Sequence, residues 1–114
     1  MTPTSERREH SRITVNERLE FLSGKIRGHG RLTDLSLGGL ALESPDPPLG
    51  RGTRARVSFM IGGQKVETEA VVTRDDPGGT VGMQFVQLAP HERFGLDEYL
   101  RYRRGEGGAD KGTL

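Results

Sequence analysis

The sequence predicts an all-β fold, an antiparallel barrel or sandwich of six short strands followed by one helix. Three observations carry this. Apolar and polar residues alternate over several short stretches, as half-buried strands require. Gly-, Pro- and Asp-rich turn signals separate those stretches at regular intervals. Near the C-terminus the alternation gives way to an apolar stripe at helical spacing.

Taken in order, residues 1–12 are polar and read as a flexible arm. From Ile13 to Phe21 the odd positions Ile13, Val15, Leu19 and Phe21 are apolar, with Glu17 the exception. Ser23-Gly24 marks a turn. Lys25 to Thr33 reads as a second strand, polar and spotted with glycine. Gly38-Gly39 makes a tight turn before a short strand with Leu40 and Leu42 on one face, and Pro45-Asp46-Pro47-Pro48 reads as a loop. Ala55, Val57, Phe59 and Ile61 alternate inward on a fourth strand. Gly62-Gly63 signals a two-residue hairpin into a fifth, with Val66, Ala70 and Val72 inward and Glu67 and Glu69 outward. Asp76-Pro77-Gly78-Gly79 turns the chain again into Val81, Met83 and Phe85. Pro90 suits a first helical turn. His91 to Arg104 then carries Leu96, Tyr99 and Leu100 on one stripe, although Gly95 costs roughly 1 kcal/mol relative to Ala. Residues 105–114 are Gly-rich and polar and read as a disordered tail. Residues 13–104 thus form one barrel-plus-helix domain. A barrel has no exposed edges, an advantage for so small a sheet.

Bulk properties narrow the function. At 114 residues there is room for one modest core. The net charge of +1 gives no global field of the kind that marks a nucleic-acid binder, so any anion site is local. The absence of cysteine excludes a disulfide scaffold, a thiolate nucleophile and a zinc ribbon. The N-terminus lacks the apolar core of a secretory signal and no apolar run has membrane-spanning length, so a cytoplasmic protein without membrane insertion is expected.

Two short motifs remain. Glu6-Arg7-Arg8-Glu9-His10-Ser11-Arg12 contains an R-x-x-x-R spacing at Arg8 and Arg12, with Arg7 a third guanidinium. Arginine presents a rigid fork of donors that matches phosphate oxygens, and its plane stacks on aromatic bases. Some twenty residues later, Asp34-Leu35-Ser36-Leu37-Gly38-Gly39 has the spacing D-x-S-x-x-G. Alternation puts Asp34 and Ser36 on one side of the chain and Leu35 on the other. A carboxylate suits the N1–H and amino donors of a guanine edge, and the glycines permit positive φ or close backbone approach. Read singly, the first motif is a solvated basic tail and the second a capped turn. Together they point to one anionic, ring-bearing ligand.

This pair resembles the PilZ domain, the bacterial receptor module for cyclic di-GMP. Gly82-Met83-Gln84-Phe85 on the last strand extends the resemblance, which covers roughly residues 6 to 104. It implies a six-stranded antiparallel β-barrel with a C-terminal helix. It also implies that Arg8 and Arg12, joined by Arg7, clamp phosphates and stack on guanine. Asp34, Ser36 and Gly39 would line the guanine and ribose side, and Gly38 would shape the turn. Glu9 departs from the positive or neutral residues usual there. The implied protein is a stand-alone cyclic di-GMP receptor that changes conformation on binding and signals to a downstream protein partner. It would need no cofactor or metal and bind no nucleic-acid polymer.

Competing readings have less behind them. Asp34, Ser36 and His29 make a triad only on paper, since no G-x-S-x-G elbow is present, and an enzyme is not expected. His10, His29 and His91 lack metal-ligand spacing. A PilZ-like interaction module that binds no nucleotide would use the helix, with Tyr99, Tyr102, Arg101, Arg103 and Arg104, although cations at a helix end also suit its dipole. A single-strand-binding barrel would need exposed stacking aromatics, and aromatic residues are only 5% of the chain.

Overall fold

The computed structural model describes residues 12–103. The expected arm up to Ser11, Arg104 and the expected tail over 105–114 lie outside the described residues. Six strands precede one helix: β1 (Ile13–Ser23), β2 (Ile26–Leu35), β3 (Gly39–Asp46), β4 (Arg54–Ile61), β5 (Gln64–Asp75), β6 (Thr80–Phe85) and α1 (Pro90–Arg103). They form a closed barrel in the order β1-β2-β3-β6-β5-β4, antiparallel throughout. Between barrel and sandwich, the β1–β4 pairing decides: Leu19 stands opposite Phe59 and Phe21 opposite Val57, which joins the two ends of the sheet.

Inside, Leu19, Leu32, Leu35, Leu42, Val57 and Val72 are fully buried, and Leu96 and Leu100 of α1 complete the core. Each such side chain contributes about 1.5–3 kcal/mol of transfer free energy. The helix is tied at three points. Glu92 Oε2 accepts from the backbone N–H of Glu67 (3.2 Å). Buried Thr68 Oγ1 donates to the Gln87 carbonyl (3.1 Å) in the connection before α1. Arg103 Nη2 donates to the Thr14 carbonyl (2.8 Å) and Nη1 to Tyr99 Oη (2.8 Å). The Gly62-Gly63 hairpin forms as expected, with φ of 53° and 78°, the left-handed geometry that a two-residue turn needs.

The structure differs from the sequence reading in several places. β2 runs on from Thr33 through Asp34 and Leu35. Its Gly28 lies directly opposite Phe21, and a Cβ there would stand 2.3 Å from Phe21 Cζ, so the glycine makes room for the ring. Glu17 breaks the alternation because a bulge interrupts β1 between Thr14 and Glu17 and leaves it exposed. Pro45 and Asp46, expected in a loop, end β3. There the β6 partner has already run out at Thr80 and the β2 register shifts, so the N–H that Pro45 lacks is not needed. Phe21, Phe59 and Phe85 point inward, but Phe94 on α1 is exposed. His29 lies on β2, and both His29 and His91 are exposed.

Candidate functional site

The turn between β2 and β3 is built around Ser36. Its backbone N–H donates to the Gly39 carbonyl (2.9 Å). Its Oγ accepts from the N–H groups of Gly38 (3.2 Å) and Gly39 (3.3 Å) and lies 3.4 Å from the Gly39 carbonyl. Ser36 is buried, so its hydroxyl serves the turn first. The turn docks on β6: Phe85 N–H donates to the Gly38 carbonyl (2.9 Å), and Gly39 pairs with Gln84. A Cβ on Gly39 would lie 2.0 Å from the Met83 carbonyl oxygen. Close approach explains this glycine, and neither Gly38 nor Gly39 is among the positive-φ residues.

Beside the turn, one row of paired residues crosses the outside of the barrel. Thr14 on β1 faces Asp34 on β2, Asp34 faces Ala41 on β3, Ala41 faces Gly82 on β6, and Gly82 faces Arg74 on β5. Directly opposed residues share a face. Asp34 and Arg74 therefore look out on the same side, three strand spacings or about 14 Å apart at their backbones. The two residues between them, Ala41 and Gly82, are buried and add no bulk.

Both charged residues owe their outward aim to a bulge. Simple alternation would place Asp34 with buried Leu32, and Arg74 with buried Val72. The β2–β3 register shifts between Leu32 and Asp34, and the β5–β6 register between Val72 and Arg74. A threonine occupies each shift. Thr33 Oγ1 lies 3.5 Å from the Ala41 carbonyl, and Thr73 Oγ1 lies 3.5 Å from that of Gly82. One added residue turns each following side chain to the other face.

Asp34, Gly82 and Arg74 of this row border an open depression of about 180 Å³. Arg12, Asp34, Ser36, Gly38 and Gly39 all line it, so five of the seven residues singled out from the sequence come together; Arg7 and Arg8 lie outside the described residues. Arg12 is exposed and Asp34 half-buried, and no ion pair engages Asp34 among the described residues. Leu35 and Leu40 flank the turn, and Thr73, Arg74, Gly82, Met83 and Gln84, which neither motif contains, complete the lining. Only Gly82-Met83-Gln84-Phe85 carried a signal in sequence, as part of the family resemblance. Among the described residues, no group of His, Asp and Glu is placed to hold a metal ion, and no helix is long and apolar enough to cross a membrane.

The fold and groove define a small closed β-barrel whose polar recess lies on its outer wall, at the turn between its second and third strands. The family model for the PilZ domain matches residues 6–102. The chain belongs to the PilZ domain family. No curated relative matches it. Among solved structures, the PilZ domain of YcgR from Escherichia coli, determined with c-di-GMP, is 18% identical with a TM-score of 0.68, over 95% of this chain and 99% of that one. The Bacillus subtilis inhibitor of motility MotI/DgrA is 21% identical with a TM-score of 0.75, over 88% of this chain and 52% of that one. The PilZ domain of CeSA from a cellulose-synthesizing bacterium is 22% identical with a TM-score of 0.62, over 85% and 98%. At these identities the likeness establishes the shared fold.

Proposed function

We propose that this protein is a cyclic di-GMP receptor that relays the second messenger to a protein partner and catalyses no reaction. The observation that carries this reading is the convergence of Arg12 with Asp34, Ser36, Gly38 and Gly39 around one recess on a PilZ barrel. Two of the similar structures, YcgR from Escherichia coli and PlzA from Borreliella burgdorferi, were determined with c-di-GMP. The recess is smaller than the ~300–1,000 Å³ of an enclosing ligand pocket. It fits part of a dinucleotide, with Asp34 accepting from a guanine edge and Arg12 meeting phosphate or stacking on the base. Arg7 and Arg8 supply the remaining cations from the segment before β1. Drawing that segment over the ligand is the conformational change, and it reaches the helix where Arg103 holds the Thr14 carbonyl, two residues after Arg12.

Isothermal titration of the full chain with cyclic di-GMP, with GTP and cyclic di-AMP as controls, tests the reading. Selective binding at micromolar affinity or tighter is expected. Absence of heat, together with absence of competition in a second assay, overturns it in favour of a nucleotide-independent interaction module.

A further inference from the structure

Arg74 is the one residue of the cross-strand row whose side chain is anchored from outside the recess. Its Nε donates to Asp76 Oδ2 at 3.0 Å. Asp76 does not line the recess. Its own backbone is fixed in the β5–β6 turn, where its N–H donates to the Thr80 carbonyl (2.9 Å) and its carbonyl accepts from Gly79 N–H (3.1 Å). The carboxylate therefore stands on a braced support. On the other side, the guanidinium rests against Gly82. A Cβ on that glycine would lie 3.1 Å from both Cζ and Nη1 of Arg74, tighter than ordinary contact.

We propose that Asp76 is a positioning residue that holds Arg74 across Gly82, so that Arg74 contacts the ligand opposite Asp34. The proposal rests on the cyclic di-GMP reading above and adds to its site a residue pair that neither motif contains. A free arginine side chain samples many rotamers, and fixing it costs entropy on binding. An ion pair through Nε leaves the Nη1–Nη2 end of the fork for the ligand. That end matches paired acceptors, whether phosphodiester oxygens or O6 and N7 of guanine. Both partners of the pair are close to half exposed, and ion pairs so exposed contribute little to stability. Its value lies in where it leaves the guanidinium.

The test is a double-mutant cycle on cyclic di-GMP affinity, read by isothermal titration at fixed salt in wild type, Arg74→Ala, Asp76→Ala and the double variant, with Asp34→Ala as reference. Arg74→Ala is expected to weaken binding ~10-fold or more, the scale of a lost charge-assisted hydrogen bond. Asp76→Ala should weaken it by a smaller factor, and should add nothing in the Arg74→Ala background. Thermal midpoints of the three variants in the cycle should stay close to wild type. Tighter binding by Asp76→Ala overturns the proposal, because the carboxylate would then compete for the guanidinium. An equal loss in both backgrounds also overturns it. If wild type binds, Asp34→Ala abolishes binding and Arg74→Ala changes nothing, this proposal fails alone. If wild type does not bind, the receptor reading fails with it.

Discussion

Asp34 and Arg74 stand in one cross-strand row on the outside of the barrel, with only Ala41 and Gly82 between them. Each is turned outward by a register shift that a threonine occupies, Thr33 before Asp34 and Thr73 before Arg74. A carboxylate and a guanidinium thus face each other across two small buried residues. That arrangement offers an acceptor at one end and a fork of donors at the other, the pattern on which the proposed site rests.

Asp34→Ala and Arg12→Ala are expected to weaken cyclic di-GMP binding by ~10-fold or more each, as loss of a charge-assisted contact does. Arg7→Ala and Arg8→Ala should act in the same direction. Arg12 is exposed and Asp34 half-buried at the end of β2, so the fold should survive. Titration calorimetry beside circular dichroism checks both halves, and a folded Arg12→Ala protein with wild-type affinity would remove Arg12 from the site.

Ser36→Ala takes away the acceptor of two backbone N–H groups in the β2–β3 turn. The cost should be about 1–2 kcal/mol of stability, given the burial of that turn. Urea unfolding should show an earlier midpoint with an unchanged slope. Ligand affinity should also fall, because the same turn carries Gly38 and Gly39 along the recess.

Gly39→Ala places a methyl group against the Met83 carbonyl. The obstacle is backbone, so β3 and β6 must separate locally. A loss of about 1–3 kcal/mol is expected, equivalent to a fall in thermal midpoint of several degrees for a domain of this size. A midpoint equal to that of wild type would show that the β3–β6 seam yields without cost.

Gly28→Ala should destabilise by driving a methyl group into the Phe21 ring. Phe21→Leu should cost stability too, through lost burial. Combined, the two should cost less than their sum by at least ~0.5 kcal/mol, since the leucine vacates the space that the alanine needs. Strict additivity in chemical unfolding would mean that the two residues do not constrain each other.

How much of this was legible in sequence follows from the range of the forces involved. Alternation in Ala55, Val57, Phe59 and Ile61, the Gly62-Gly63 hairpin and the stripe of Leu96, Tyr99 and Leu100 are local, and those elements appear where the sequence puts them. Gly28 read as a weakness in β2 because the ring it accommodates belongs to another strand. The motif Asp34-Leu35-Ser36-Leu37-Gly38-Gly39 is contiguous, and its turn forms from its own hydrogen bonds. Arg74 carried no such signal. It is forty residues from Asp34 along the chain and joins the row only because β3 pairs with β6 and β6 with β5. Six strands, most of their turns and both motifs can be read along the chain, since side-chain alternation and turn chemistry act over a few residues. Which strands become neighbours and which way Asp34 and Arg74 point depend on barrel closure and bulges, and so on partners distant in the chain.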